Sequence, residues 1–419
     1  MNRRIIVWIV GTVVFLLALV LVLLLTASTA KAQNLQGSFS GKLNAGMAKL
    51  TIVLNIETDG TATLESPDQT DQKIPATIDY LSADSVAVSV SMLQASYQGR
   101  MVGEELQGTF KQAGFSFPLN MKAGKVERRR SQVIEDTSSY QTEEVTFRND
   151  KDGATLAGTL SIPSSLGETG ACPCLLMVSG SGQQNRDEEL LGHKPFAVIA
   201  DYLARNGIAT LRYDDRATGQ SVGGDVANAT SEDFARDAAA GIAFLRKDKR
   251  FSHVGVIGHS EGGLIAFMLG AQRQVDFIVS LAGPGVCGDT ILLKQMQLGN
   301  PQAGELTKAK VRETILAQNN AWLNFFIDYD PSDNIRHTTC PVLAVNGSKD
   351  VQVDAEMNLG ALRRLLPKNK KNCIKAYDGL NHLFQHCTTG MPDEYAAIEE
   401  TFSEEVLNDI VKWVMKMKD

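Results

Sequence analysis

The chain has no positive charge to spare. Its 41 lysines and arginines face 48 aspartates and glutamates, for a formal net charge of −7. Binding nucleic acid requires a basic face, so that class of partner is excluded. Metal ligands are equally scarce: six cysteines and six histidines in 419 residues never fall at zinc-site spacing, and no structural metal is expected. The glycine-rich stretch Ser179-Gly-Ser-Gly182 lacks the lysine and the following helix of a phosphate-binding loop. What remains is ordinary globular composition, 43% hydrophobic and 21% charged, in a chain long enough for two cores.

The N-terminus carries a long uncharged run, Ile5 to about Thr26, behind Arg3 and Arg4 and ahead of Ala30-Lys31-Ala32. This pattern predicts an export signal cut before Gln33, with residues 1–32 removed. The run is also long enough to stay as a membrane anchor over 5–26, so a membrane tether is the alternative. No cysteine follows it, which argues against a lipid anchor. Either way the remainder is expected to be exported, periplasmic or extracellular, where its six cysteines are free to form disulfides.

Residues 33–124 alternate like strands and have no helical period. Leu50, Ile52, Leu54 and Ile56 share one face, as do Val86, Val88, Val90 and Met92, with Asp59-Gly60 as a turn. A small all-β accessory domain follows, a barrel or a sandwich. Residues 125–143 are charged and rich in serine and threonine. They read as a linker, with Arg128-Arg-Arg130 as solvated surface.

From 144 onward the pattern changes. A hairpin across Asp152-Gly153 precedes short apolar, β-branched runs that alternate with amphipathic helices near 194–206, 232–247, 261–272, 354–366 and 393–417. This is the signature of a mostly parallel sheet covered on both faces, whose function sits on loops at the carboxyl ends of the strands. The rhythm breaks at about 286–338, which is mostly helical in pattern and is expected to be a cap. Its aromatics Trp322, Phe325 and Phe326 are candidates for lining a substrate pocket, or for the cap's own core.

Two pentapeptides fit G-x-S-x-G, Gly258-His-Ser-Glu-Gly262 and Gly219-Gln-Ser-Val-Gly223. A nucleophilic serine needs a tight turn from a buried strand into a helix, with the next amide aimed at the developing oxyanion. Ser260 has the strand Val254–Ile257 before it and a helix after it, whereas Ser221 lies among polar turns. A base must take the serine's proton, and a third group must orient that base. His382 and Asp350 each follow a strand and fill these roles. Asp354 is better placed as a helix cap, and His386 lies further along its loop. Oxyanion donors are expected from the Glu261 amide and from the loop after Val178, at Ser181 or Gly182.

Taken together, VSGSGQQNRDE, LRYDDRATGQS, GHSEGG, PVLAVNGSKD and GLNHLFQ resemble the α/β-hydrolase superfamily, in particular exported bacterial esterases and serine-peptidase-like hydrolases with a β-rich N-terminal domain. The resemblance covers about 144–419. It implies an α/β-hydrolase fold with an eight-stranded sheet, a Ser260-Asp350-His382 triad and acyl transfer without a cofactor. Asp214, Asp215 and Arg216 match a strand-end motif that is structural in that family. Ala217 replaces its usual glycine, and Gln183 and Asn185 stand where relatives often have Pro and Asp. The expected activity is hydrolysis of carboxylic esters. The same triad suits amides and thioesters, so a small-molecule ester or a short peptide is the substrate class. A non-catalytic binding module is the reading from another class.

Overall fold

The computed structural model describes residues 35–417 apart from 46–47, 70–71, 125–129, 136 and 300–305. The leader or anchor read at 1–32 lies outside the described residues. The chain divides into two units, Met1–Glu127 and Arg128–Asp419.

The first unit is a closed antiparallel barrel of eight strands in sequential order, from β1 (Gly37–Ala45) to β8 (Phe115–Ala123). Closure pairs β1 with both β2 (Ala48–Ile56) and β8, which leaves the sheet without an open edge. The alternation read in the sequence supplies the interior: Ile52, Leu54, Ile56, Val86, Val88 and Val90 are all buried. Tyr97 fills the centre and donates its hydroxyl to the carbonyls of Leu106 and Leu119 at 3.1 and 3.2 Å. Met92 departs from the pattern. It falls past the strand end, in the one-turn 3-10 helix Ser91–Leu93, and is 76% exposed.

In the second unit, β9 (Tyr140–Asn149) and β10 (Ala154–Pro163) form the hairpin. The sheet continues through β11 (Cys172–Val178), β12 (Ala209–Tyr213), β13 (Phe251–His259), β14 (Ile278–Leu281), β15 (Val342–Gly347) and β16 (Cys373–Tyr377). Its order is β16-β15-β14-β13-β11-β12-β10-β9, parallel throughout except at β9 and β10. Helices α1 (Pro195–Arg205) and α9 (Glu404–Met415) supply one apolar layer. Helices α2 (Ser231–Leu245), α3 (Glu261–Ala271) and α8 (Ala355–Leu365) supply the other. The predicted cap is a run of four short helices, α4 (Gly288–Gly299), α5 (Lys308–Leu316), α6 (Ala321–Asp328) and α7 (Ser332–His337).

The linker reading needs correcting at its C-terminal end. The sheet begins at Tyr140, inside 125–143. Arg130 is not a freely solvated side chain, because its guanidinium donates to the carbonyls of Leu191, Gly192, Ala396 and Ile398. A planar five-donor group suits such a ring of carbonyls. An arginine run in a polar stretch gives no sign of this, because the acceptors are some 60 and 268 positions away.

Candidate active site

Ser260 sits where β13 turns into α3, with φ 51° and ψ −116°. A non-glycine residue holds such a backbone only when its surroundings impose it, and positions of this kind concentrate at functional sites. The turn is tight enough to require glycine on either side. A Cβ on Gly258 would come within 2.0 Å of the Gly262 carbonyl oxygen, and one on Gly262 within 2.0 Å of the Val178 oxygen. Helix α3 is buried on every side from Glu261 to Gly270, so the turn is fixed from below by the core.

His382 and Asp350 reach the same end of the sheet from β16 and β15. His382 Nδ1 lies 2.7 Å from Asp350 Oδ2. The other carboxylate oxygen of Asp350 accepts the amides of Gln352 and Val353, both at 2.8 Å. Three donors thus hold one buried carboxylate. Asn381 braces the histidine loop by accepting the amides of Leu383 and Gln385 at 3.0 Å. The competing candidates are otherwise engaged. Asp354 caps α8 through the Met357 amide at 2.8 Å and pairs with Lys294. His386 pairs with Glu400 at the surface. Ser221 is buried and spends its hydroxyl on the Asp214 carbonyl and the Ala157 amide.

Ser260 and His382 line one small cleft of about 110 Å³ with Gly180, Ser181, Gln184, Glu188, Leu190, His259, Gln352 and Leu383. The loop after β11 approaches the serine closely: a Cβ on Gly180 would lie 3.4 Å from Ser260 Cβ. The Gly180 amide donates to Glu188 Oε1 at 2.7 Å, so it is occupied. The amides of Ser181 and Glu261 take part in none of the hydrogen bonds among the described residues outside helices and strands. Those two amides are therefore open to a ligand oxygen. Gly182 follows with φ 96° but does not line the cleft.

The strand-end motif 214–216 explains how this loop is held. Asp214 accepts the Arg186 amide at 2.8 Å and pairs with its guanidinium, while Asp215 accepts the Gln184 amide at 2.8 Å and the Ser179 hydroxyl. Burial pushes the Asp215 carboxyl well above the usual range, although these donors act against it. Arg216, itself buried, pairs with Asp152 and Asp237. Burial alone would raise the Asp152 carboxyl, but hydrogen bonds from Arg236, Asn149 and Arg216 prevail and hold it at about 2. Ala217 keeps a left-handed φ of 54°, a conformation that costs a residue with a Cβ about 1–2 kcal/mol.

The aromatic residues proposed as pocket lining need correcting. Trp322, Phe325 and Phe326 are not among the cleft residues. Trp322 stacks on Phe326 at 5.1 Å within the cap, while Phe325 stacks on Tyr329 at 5.1 Å and packs against the core of the sheet. Trp322 nevertheless has a role at the site. Its indole N–H donates to Glu261 Oε1 at 2.6 Å, and the Ser231 hydroxyl donates to the same oxygen at 2.5 Å. Burial raises the Glu261 carboxyl above its ordinary value, with these two donors partly offsetting it. The cap is thereby latched to the residue that follows Ser260. Trp322→Phe keeps the stack and removes one donor. The expected result is a loss of about 1–2 kcal/mol in thermal unfolding and a several-fold fall in turnover.

Sequence reasoning missed Glu188, Leu190, Gln184, Gln352 and Leu383 in the cleft. Gln352, two residues after Asp350, Leu383, next to His382, and Gln184, in the loop after Val178, carried a positional hint. Asp187-Glu188-Glu189 looks like a solvated acidic loop, and nothing in its spacing signals that Glu188 turns inward with φ 51°.

Residues 194–308 match the family model described as serine aminopeptidase, S33. The chain is 27% identical over 297 residues to esterase EstD of Thermotoga maritima, an alignment covering 67% of this chain and 69% of that protein. Among solved structures it is similar to the Pyrococcus furiosus esterase Pf2001, with TM-score 0.46, 15% identity, and coverage of 70% of this chain and 99% of the other. It is also similar to Est1E from Butyrivibrio proteoclasticus, with TM-score 0.44, 19% identity, and coverage of 66% and 98%.

Proposed function

We infer that this chain, an α/β hydrolase and a carboxylic ester hydrolase, forms its acyl-enzyme on Ser260, with His382 as base and Asp350 as the group that orients it. The observation that carries this reading is the strained Ser260 turn opening into the same cleft as a histidine whose Nδ1 is bound by a buried carboxylate. His382 takes the proton from the Ser260 hydroxyl as oxygen attacks the ester carbonyl. The carbonyl oxygen becomes an oxyanion, for which the amides of Ser181 and Glu261 are the donors. Collapse of this intermediate expels the alcohol, which His382 protonates. Water, activated by the same histidine, then releases the acid and restores Ser260. Asp350 keeps the Nδ1 proton in place, so that Nε2 is the nitrogen free to accept.

The cleft favours small acyl groups. At about 110 Å³ it lies well below the roughly 300 Å³ at which pockets for drug-sized ligands begin, and its apolar lining is Leu190 and Leu383. Short-chain esters of small molecules fit this space best. Peptides are the second reading, because residues 194–308 match a serine aminopeptidase family. An aryl acetate or butyrate and an aminoacyl anilide, assayed side by side, divide the two. Hydrolysis of the aryl ester at least 100-fold faster in kcat/KM supports the ester reading, and the reverse order overturns it. Export of the protein, carried by the apolar run within 5–26, belongs to the same proposal.

A further inference from the structure

His259 precedes the proposed nucleophile and is buried, with both ring nitrogens engaged. Nδ1 lies 2.9 Å from Glu188 Oε1, and Nε2 lies 3.0 Å from the backbone carbonyl of His382. The carbonyl can only accept, which puts a proton on Nε2, and an ionised Glu188 carboxylate likewise only accepts, which puts the second proton on Nδ1. A ring protonated at both nitrogens is an imidazolium. Its plane is tilted 46° against the His382 ring, with ring centroids 4.7 Å apart.

We propose that Glu188 and His259 are a positioning pair for the Ser260-centred reaction: a lasting imidazolium that ties the oxyanion loop to the loop that carries the base. The inference rests on the functional reading given above. The chain of contacts is continuous. The Gly180 amide donates to Glu188 Oε1, which also accepts from His259, which donates to the His382 carbonyl. One charged pair thus sets the register of three loops, those after β11, β13 and β16.

The surroundings of His259 favour its charge. Among the described residues, the titratable groups facing His259 are Glu188 from the loop after β11, Asp350 from the loop after β15 and His382 from the loop after β16. Burial works against a charge on His259, but the Glu188 carboxylate outweighs it and holds the imidazole above its ordinary value. The strained φ of 51° at Glu188 fits a residue held for such a purpose.

The test uses the full chain. In His259→Gln and Glu188→Gln, kcat for an aryl acetate is expected to fall about tenfold while KM stays nearly unchanged. Glu188→Gln keeps an oxygen for the Gly180 amide and removes only the charge, so it separates electrostatics from scaffolding. A kcat within about twofold of wild type in both folded variants, or a fall matched by an equal rise in KM, would overturn the proposal. Independently of any variant, ring-¹⁵N spectra of the wild-type protein at pH 8 are expected to show one histidine protonated at both nitrogens. The absence of such a signal also overturns it. Failure of the functional reading looks different: ester hydrolysis would survive in Ser260→Ala whatever the spectra show.

Discussion

Replacing Ser260 with alanine is expected to lower kcat for aryl ester hydrolysis by about 10⁶-fold while leaving the melting temperature nearly unchanged. The magnitude follows from what the substitution removes. Without the hydroxyl there is no acyl-enzyme, and the base has no proton to take. Only the oxyanion donors and the cleft remain, and these are worth roughly 10³–10⁴ over water. The fold should tolerate the change, because among the described residues the Ser260 hydroxyl makes no hydrogen bond that caps α3 or ties elements together. The strained turn is imposed by Gly258, Gly262 and the buried helix α3. By contrast, Ser221→Ala removes a buried hydroxyl that joins Asp214 to Ala157, so it should cost stability and spare the chemistry. Steady-state kinetics and thermal unfolding on the two variants separate the roles.

Asp350→Asn is expected to cost about 10⁴-fold in kcat with little change in KM. The local hydrogen bonds explain why an isosteric change is so damaging. The amides of Gln352 and Val353 both donate to Oδ1, so an asparagine must place its carbonyl oxygen there. Its NH₂ group then faces His382 Nδ1, which has to become the acceptor. The ring proton moves to Nε2, the nitrogen that should receive the serine proton, and the base is held in the wrong tautomer. In the proposed mechanism the three groups act as one unit, so adding Asp350→Asn to Ser260→Ala should cost little more than Ser260→Ala alone. If Asp350→Asn instead kept activity within tenfold of wild type, the orienting role would be wrong.

Much of the second unit could be read from the sequence because its physics is local. Runs such as Val254–Ile257 and Val342–Val345 are apolar over four or more residues, as strands covered on both faces must be, and they occupy β13 and β15. The placement of Ser260, Asp350 and His382 past strand ends could be read because each follows such a run. The errors and omissions arise where partners are distant in sequence. Arg130 looks like solvated charge because its acceptors lie near 191 and 397. Glu188 looks like an acidic loop because its partner His259 is 71 positions away. The cap aromatics were ambiguous for a different reason. Spacing shows that Trp322, Phe325 and Phe326 are close together, but stacking on one another and lining a cleft leave the same pattern. Met92 shows that alternation alone does not mark a strand's end, since the fourth position of the Val86 series falls in a turn.

The central claim is that Ser260 is the reacting nucleophile, and active-site labelling tests it most directly. A fluorophosphonate probe should label the full-length protein at a single site that maps to the peptide around Ser260, and Ser260→Ala should abolish the label. Ser221→Ala should keep it. Labelling that persists in Ser260→Ala, or disappears in folded Ser221→Ala, would contradict the account.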